Sequence, residues 1–341
     1  MLYFSSDYLE GCHPAILDKL QETNLDQTPG YGHDVWCDLA RERIREAVGK
    51  PNAAVHFLTG GTQANFAVIR SVLRSCEAVI AAQSGHIVDH EAGAVEACGH
   101  KVLTLPAECG KISAEQIAAL VEKYRSDDAA DFAVQPGMVY ISHPTEWGTL
   151  YTLSELQAIH AVCRSFGIPL FIDGARLGYG LAAEGTDVTM KDIADNADVF
   201  YIGGTKVGAL FGEAVVITNP GIMKNFFTTM KQSGAVLAKG RLLGIQFAVL
   251  FENDRYMEAG RHAIRLASRL RDALAEKGYE FYMPPESNQL FLKLTNDQFR
   301  RFKASVVFSL IDRLSDDEVV VRLVTGWATT PENVERLIAV L

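Results

Sequence analysis

The sequence predicts an α/β fold, with a large domain built on a mostly parallel sheet and a smaller α+β domain toward the C-terminal end. Strand-length apolar runs alternate with longer amphipathic segments, the pattern of successive βαβ units. At 341 residues the chain is long enough for roughly two domains of about 150 residues each. Beyond Asn219-Pro220-Gly221 the alternation stops, and a long helical region gives way to short strands.

Taken in order, the runs that read as strands of the large sheet are 54–58, 78–82, 101–105, 138–142, 169–173, 199–202 and 214–218. Helical periodicity fills the intervals, as in 154–166, where Ser154 is placed to cap the first turn. A helical region from about Met223 to Lys277 leads out of the sheet. Gly278 and Met283-Pro284-Pro285 then introduce short strands at 280–282, 290–294 and 319–324 around a helix expected over 297–314. The boundary is placed near residue 245, dividing an N-terminal segment and large sheet domain (1–245) from a small C-terminal domain (246–341).

Composition narrows the function. A net charge of -10, with basic residues scattered rather than clustered, gives no electrostatic grip on nucleic acid or anionic lipid. The apolar stretch from Val207 to Thr218 is interrupted by Glu213 and falls well short of the ~20 residues that cross a bilayer. The opening MLYFSSDYLEG has neither a basic start nor an apolar signal core, so a cytoplasmic location is expected. Six cysteines without a C-x-x-C pair indicate neither a zinc cage nor a disulfide framework, and most read as small buried apolar residues. No metal site is expected.

In an open parallel sheet ligands gather at the carboxyl ends of strands. Thr59-Gly60-Gly61-Thr62-Gln63-Ala64-Asn65 leaves a strand and enters a helix, either as an anion cradle of free backbone N–H groups or as an ordinary turn. Phe171-Ile172-Asp173-Gly174-Ala175-Arg176 ends an apolar strand in an acid that could meet a protonated ring nitrogen, bind a metal or cap the next helix. Tyr201-Ile202-Gly203-Gly204-Thr205-Lys206-Val207-Gly208 sets a lone lysine among small and apolar residues, as Schiff-base chemistry needs, although a snorkelling turn lysine reads similarly. Together they suit a carbonyl cofactor bearing a phosphate and a pyridine nitrogen, which is pyridoxal 5'-phosphate. Arg322 interrupts a valine-rich strand, an expensive place for a charge unless it grips a carboxylate, on the substrate or in an edge-strand ion pair.

With Ser6-Asp7, Tyr31-Gly32-His33-Asp34, Gly61-Thr62-Gln63-Ala64-Asn65, His86 with Glu91-Ala92-Gly93, Asp173-Gly174-Ala175-Arg176, Lys206 and Val321-Arg322-Leu323-Val324 in that order, the chain resembles a known family. It is similar nearly end to end to the threonine aldolase and β-eliminating lyase group of fold-type I pyridoxal phosphate enzymes. D-G-A-R followed by G-G-T-K is the most discriminating part. The resemblance implies a PLP-dependent carbon–carbon lyase that splits L-threonine, L-allo-threonine and related β-hydroxy-α-amino acids into glycine and an aldehyde. By the same resemblance Lys206 binds the cofactor aldehyde, Asp173 pairs with the ring nitrogen and His86 stacks on the ring. Gly61 and Thr62 bind its phosphate, and Arg176 and Thr205 are further cofactor contacts. Ser6, Arg176 and Arg322 hold the substrate carboxylate, with Tyr31 and Glu146 also on the substrate side. A homotetramer, a dimer of dimers with sites at subunit interfaces, is implied too, with Lys239 or Arg241 reaching a neighbour's cofactor phosphate.

The chain departs from the family at two places. Ser5 stands where many relatives have Arg, and Glu146 in Thr145-Glu146-Trp147-Gly148 stands where the best-known branch has a histidine. A second, bacterial branch is similar at T-E-x-G, at G-G-T-K and at Lys231-Gln232-Ser233-Gly234. The side-chain preference therefore stays open, as does whether His86, Glu91 or a water takes the hydroxyl proton. The rivals are a β-lyase or aminotransferase of the same fold and a non-enzymatic binding protein. A nicotinamide dehydrogenase is suggested only by the loose fingerprint Gly178-x-Gly180-x-x-Ala183.

Overall fold

The computed structural model describes residues 1–341. Its strands are β1 (Leu2–Tyr3), β2 (Ala54–Leu58), β3 (Glu77–Ala82), β4 (Val102–Leu105), β5 (Gln135–Ser142), β6 (Leu170–Asp173), β7 (Val199–Gly203), β8 (Glu213–Ile217), β9 (Glu280–Phe281), β10 (Gln289–Thr295), β11 (Val306–Val307), β12 (Ser309–Arg313) and β13 (Glu318–Val324). A seven-stranded sheet runs in the order β2-β8-β7-β6-β5-β3-β4. Along it, Val139, Ile141, Leu170, Ile172, Phe200 and Ile202 enter one core, while Met138, Tyr140, Phe171, Val199 and Tyr201 enter another on the opposite face. Helices cover both faces, which is why these strands read as continuous apolar runs rather than alternating ones.

β8 alone is antiparallel to its neighbours β2 and β7. Its first residue, Glu213, therefore lies at the edge where β2 and β7 end. β12, β13, β10 and β9 form a smaller antiparallel sheet. The third core beside it takes Leu266, Leu270 and Leu274 from the helix Arg255–Glu276 and Val334 and Leu337 from the helix Pro331–Val340. Leu2 and Phe4 join that core, and β1 pairs with β11, so the N-terminal residues pack against the C-terminal part of the chain.

Several expectations are corrected. The helix expected over 297–314 ends at Lys303, and the rest forms β11 and β12, because Val306 and Val307 are β-branched and pair with β1, and Ser309, Leu310, Asp312 and Arg313 pair with β13. Thr152, not Ser154, caps Leu153–Phe166, in a reciprocal capping box with Glu155. The region 223–277 is three helices, Phe226–Gln232, Arg241–Leu250 and Arg255–Glu276. Cys12, Cys37 and Cys163 are buried, but Cys76 is exposed and Cys98 and Cys109 are half-buried. Gly178 and Gly180 lie inside the short helix Leu177–Leu181, where a Cβ would meet Tyr256 and Val207 at 3.0 Å and Pro144 at 2.8 Å. They serve close helix packing, so the dinucleotide fingerprint has no phosphate turn behind it. No helix is long and apolar enough to cross a membrane.

Candidate active site

Gly61, Thr62, His86, Asp173 and Lys206 all lie at the carboxyl edge of the large sheet, at or just after the ends of its strands. After β2, the helix Gly61–Val72 starts from Gly60, which offers no side-chain cap, so its first-turn N–H groups are left for an anion. A Cβ on Gly61 would come within 3.2 Å of the Tyr201 hydroxyl, so backbone approach is close there. Gln63 secures the turn by accepting from the Thr59 N–H (3.1 Å) and hydroxyl (2.7 Å).

One turn along the same helix, Asn65 is fully buried and faces the end of β6. Its Nδ2 donates to Asp173 Oδ2 at 3.1 Å and to Glu91 Oε1 at 2.7 Å. The Tyr140 hydroxyl donates to Asp173 Oδ2 at 2.5 Å, and the Ala175 N–H to Oδ1 at 2.9 Å. Asp173 thus carries its charge on neutral donors alone. Burial, then the Asp173 charge, pushes the Tyr140 phenol well above its ordinary pKa, which keeps it a donor. Glu91 Oε1 also lies 2.8 Å from His86 Nδ1, so hydrogen bonds link His86 to Asp173 through Glu91 and Asn65. Burial disfavours charge on His86, but the bond to Glu91 and the carboxylates of Glu146, Asp173 and Glu91 outweigh it and raise its pKa.

Lys206 is half-buried on the turn after β7. The Thr205 hydroxyl beside it donates to Glu213 Oε1 at 2.8 Å and accepts from the Gly212 N–H at 2.9 Å, so Thr205 locks the turn.

Two arginines face the same region from different elements. Arg176 Nε and Nη2 donate to Asp7 at 2.7 and 3.1 Å, leaving both N–H groups of Nη1 and one of Nη2 for a ligand. Burial opposes charge on Asp7, yet Arg176, Lys206 and the bond from Asn288 hold its carboxyl below its ordinary value. Arg322 on β13 donates to Gln289 Oε1 (3.0 Å), the Ser5 carbonyl (3.3 Å) and Ser309 Oγ (3.4 Å), all neutral, and its Nε has no partner. Burial, then repulsion from Arg176, lowers its pKa. Ser6 Oγ, Asn288 Oδ1 and Gln289 Nε2 are likewise buried without partners. Glu146 is half-buried, 3.4 Å from Ser142 Oγ, and its charge bears on His86, Arg176 and Arg322.

Tyr31 is 48% exposed, shares a small cavity with Phe227 and carries Lys231 Nζ 4.7 Å from its ring centre. Arg241 donates to the carbonyls of Thr23, Asn24 and Asp26 within its own chain. The sequence reading missed Tyr140, Gln289 and Glu213. Only Glu213 left a signal, an acid opening an apolar strand just after a glycine.

The description "Beta-eliminating lyase" matches residues 4–297. The low specificity L-threonine aldolase of Pseudomonas aeruginosa is 30% identical over 304 residues, 88% of this chain and 86% of that protein. The protein of the same name from a Pseudomonas species is 31% identical over 295 residues, 86% and 84%. A threonine aldolase structure from Leishmania major superposes with a TM-score of 0.96 at 42% identity, covering 100% of this chain and 98% of that one. Thermus thermophilus aspartate aminotransferase, at 13% identity and a TM-score of 0.70 over 100% and 90%, shares the fold alone, that of fold-type I pyridoxal phosphate enzymes. From the uncapped helix after β2 to Arg322 in the small sheet, the candidate site sits on an architecture shared with the Leishmania and Thermus structures, and the chain belongs to the β-eliminating lyase family.

Proposed function

We propose that this chain binds pyridoxal 5'-phosphate and splits L-threonine, L-allo-threonine and related β-hydroxy-α-amino acids at the Cα–Cβ bond, leaving glycine and an aldehyde. The observation that carries this reading is the meeting, at one sheet edge, of an uncapped helix N-terminus, a buried carboxylate held only by neutral donors, and a lysine. The names of the Pseudomonas and Leishmania relatives support the choice of reaction.

The residues present fit the cofactor. Asp173 lacks a cationic partner that a protonated ring nitrogen would supply, and the first turn at Gly61 and Thr62 has N–H groups for a phosphate. Lys206 would take its aldehyde and His86 would lie on its ring. When bound, the cofactor supplies an electron sink next to the carbon whose bond breaks.

The chain's own groups do the rest. Arg322 holds the substrate carboxylate by a charge-assisted fork, with Ser6 Oγ beside its strand as a further donor. Arg176, tied to Asp7 along one edge of its guanidinium, adds positive field and keeps N–H groups on Nη1 and Nη2 that can still donate. His86 receives the β-hydroxyl proton at Nε2, because Nδ1 is held by Glu91, which fixes the ring and favours its charged form. Glu146 lies on the substrate side. Two copies pair across the face bearing Tyr31, Val35 and Phe227, which are exposed apolar residues, and two pairs form a tetramer.

Incubation with L-threonine, L-allo-threonine and D-threonine tests the reaction. Equal glycine and acetaldehyde from both L substrates and none from D-threonine is expected. 2-Ketobutyrate as main product, or amine transfer to a keto acid, would assign a lyase or aminotransferase activity instead. Borohydride reduction followed by peptide mass spectrometry is expected to place the cofactor on Lys206, and sedimentation to give four copies.

A further inference from the structure

Glu213 is a buried acid that none of the foregoing chemistry uses. It is 4% exposed and opens β8, the antiparallel strand between β2 and β7. Its backbone pairs with Leu58 on one side and Gly203 on the other. The carboxyl therefore sits between the two turns that matter most, Thr59–Gly61 and Gly204–Lys206. Oε2 accepts the Gly204 N–H at 3.0 Å and Oε1 the Thr205 hydroxyl at 2.8 Å, both neutral donors. The turn is closely packed around it. A Cβ at Gly204 would strike the Gly212 carbonyl at 2.7 Å and Phe247 at 2.8 Å, and one at Gly212, whose φ is +116°, would meet Leu243 at 2.4 Å.

We propose that Glu213 is a positioning residue for Lys206: its carboxyl group clamps the Gly204–Thr205 backbone and so fixes where the lysine amine points. The proposal rests on reading Lys206 as the cofactor lysine. Burial, which hydrogen bonds from Thr205 and Gly204 and the Lys206 charge only partly offset, raises the Glu213 pKa to about 8. The titratable groups facing it are Lys206 on the turn, Tyr201 on β7, Asp173 on β6 and Tyr256 on the helix Arg255–Glu276. Below that value the clamp is a neutral acid; above it a negative charge appears beside Lys206 and pulls on the turn. The reactivity of Lys206 then follows the protonation of Glu213.

The test uses the cofactor-free protein as well as the holoenzyme, with variants E213Q and E213A. Formaldehyde and cyanoborohydride label lysines, and peptide mass spectrometry gives the Lys206 rate from pH 6 to 10 relative to the exposed Lys303. In the wild type the ratio is expected to inflect near the Glu213 pKa of about 8. In E213Q, which keeps the shape and cannot ionise, the inflection disappears. In E213A the Lys206 rate shifts at every pH, and holoenzyme turnover falls roughly a hundredfold, the scale of an ångström of misplacement. A wild-type profile without inflection, or an E213Q profile identical to wild type, would overturn the proposal and leave Glu213 as packing. Borohydride trapping of the cofactor on another lysine would instead sink the assignment of Lys206, whatever the labelling profile shows.

Discussion

Asp173 at the end of the large sheet is a buried charge and Arg322 within the small one a half-buried charge, and the fold surrounds them differently. Asp173 receives three neutral hydrogen bonds, from Tyr140, Asn65 and Ala175, and both its oxygens are engaged. Arg322 meets only neutral acceptors, its Nε has none, and Ser6, Asn288 and Gln289 nearby each keep an unpartnered polar atom. Burying an unpaired charge or polar atom is costly, so the second arrangement is the one that a ligand would complete. The two sides differ accordingly. Both Asp173 oxygens are held by the protein's own donors, although Asn65 Oδ1 and Glu91 Oε2 beside it keep no partner, while the Arg322 guanidinium has an open edge that a carboxylate would complete.

Substitutions on each side separate these roles. Asp173→Asn removes the charge but keeps the shape, and turnover of L-threonine is expected to fall roughly 10²–10³-fold, the scale for losing one electrostatic stabiliser. An equal rise in KM with turnover preserved would erase the distinction between the sides. Arg322→Lys keeps the charge but loses the fork, so KM is expected to rise by the equivalent of about 1.5–3 kcal/mol with kcat little changed. An unchanged KM would move the anchor to the free N–H groups of Arg176. Glu91→Gln has the smallest effect. It removes the carboxylate that favours charged His86, so the acid limb of the kcat/KM profile is expected to move to lower pH. The sign follows from the base role: His86 works when neutral, activity rises as pH passes its raised pKa, and lowering that pKa extends activity downward. A limb that stays in place would take the proton-accepting role from His86.

Much of the Asp173 side was legible in the sequence, because an acid or a lysine ending an apolar strand is a strong local signal and a mostly parallel sheet follows from βαβ alternation. The Arg322 side was less so. Arg322 stood out within its valines, but Gln289 and Ser309 reach it only through pairing of β10, β12 and β13, and Ser5 arrives from the other end of the chain. β12 itself hid in a stretch with helical spacing, since its strand character comes from the partner it meets rather than from its own residues. Arg176 looked like a free anchor because nothing local shows that Asp7, far away in sequence, bonds it. Tyr140 was hidden by its strand, where a tyrosine among apolar residues reads as core and its hydroxyl contact depends on β6 lying alongside.

The antiparallel course of β8 also bears on how this protein tolerates change. In a right-handed βαβ crossover, a helix separates one strand from the next, and its loops absorb insertions at little cost in chain entropy. Between β7 and β8 there is no helix. The chain turns back within Gly204–Gly212 and is pinned at both ends by neighbouring strands and by glycines at φ +97° and +116°. Library diversity or a loop graft placed there would have to keep its length, whereas the connection carrying Asp127–Ala133 on the far side of the molecule, largely exposed, is where extra residues would be accepted.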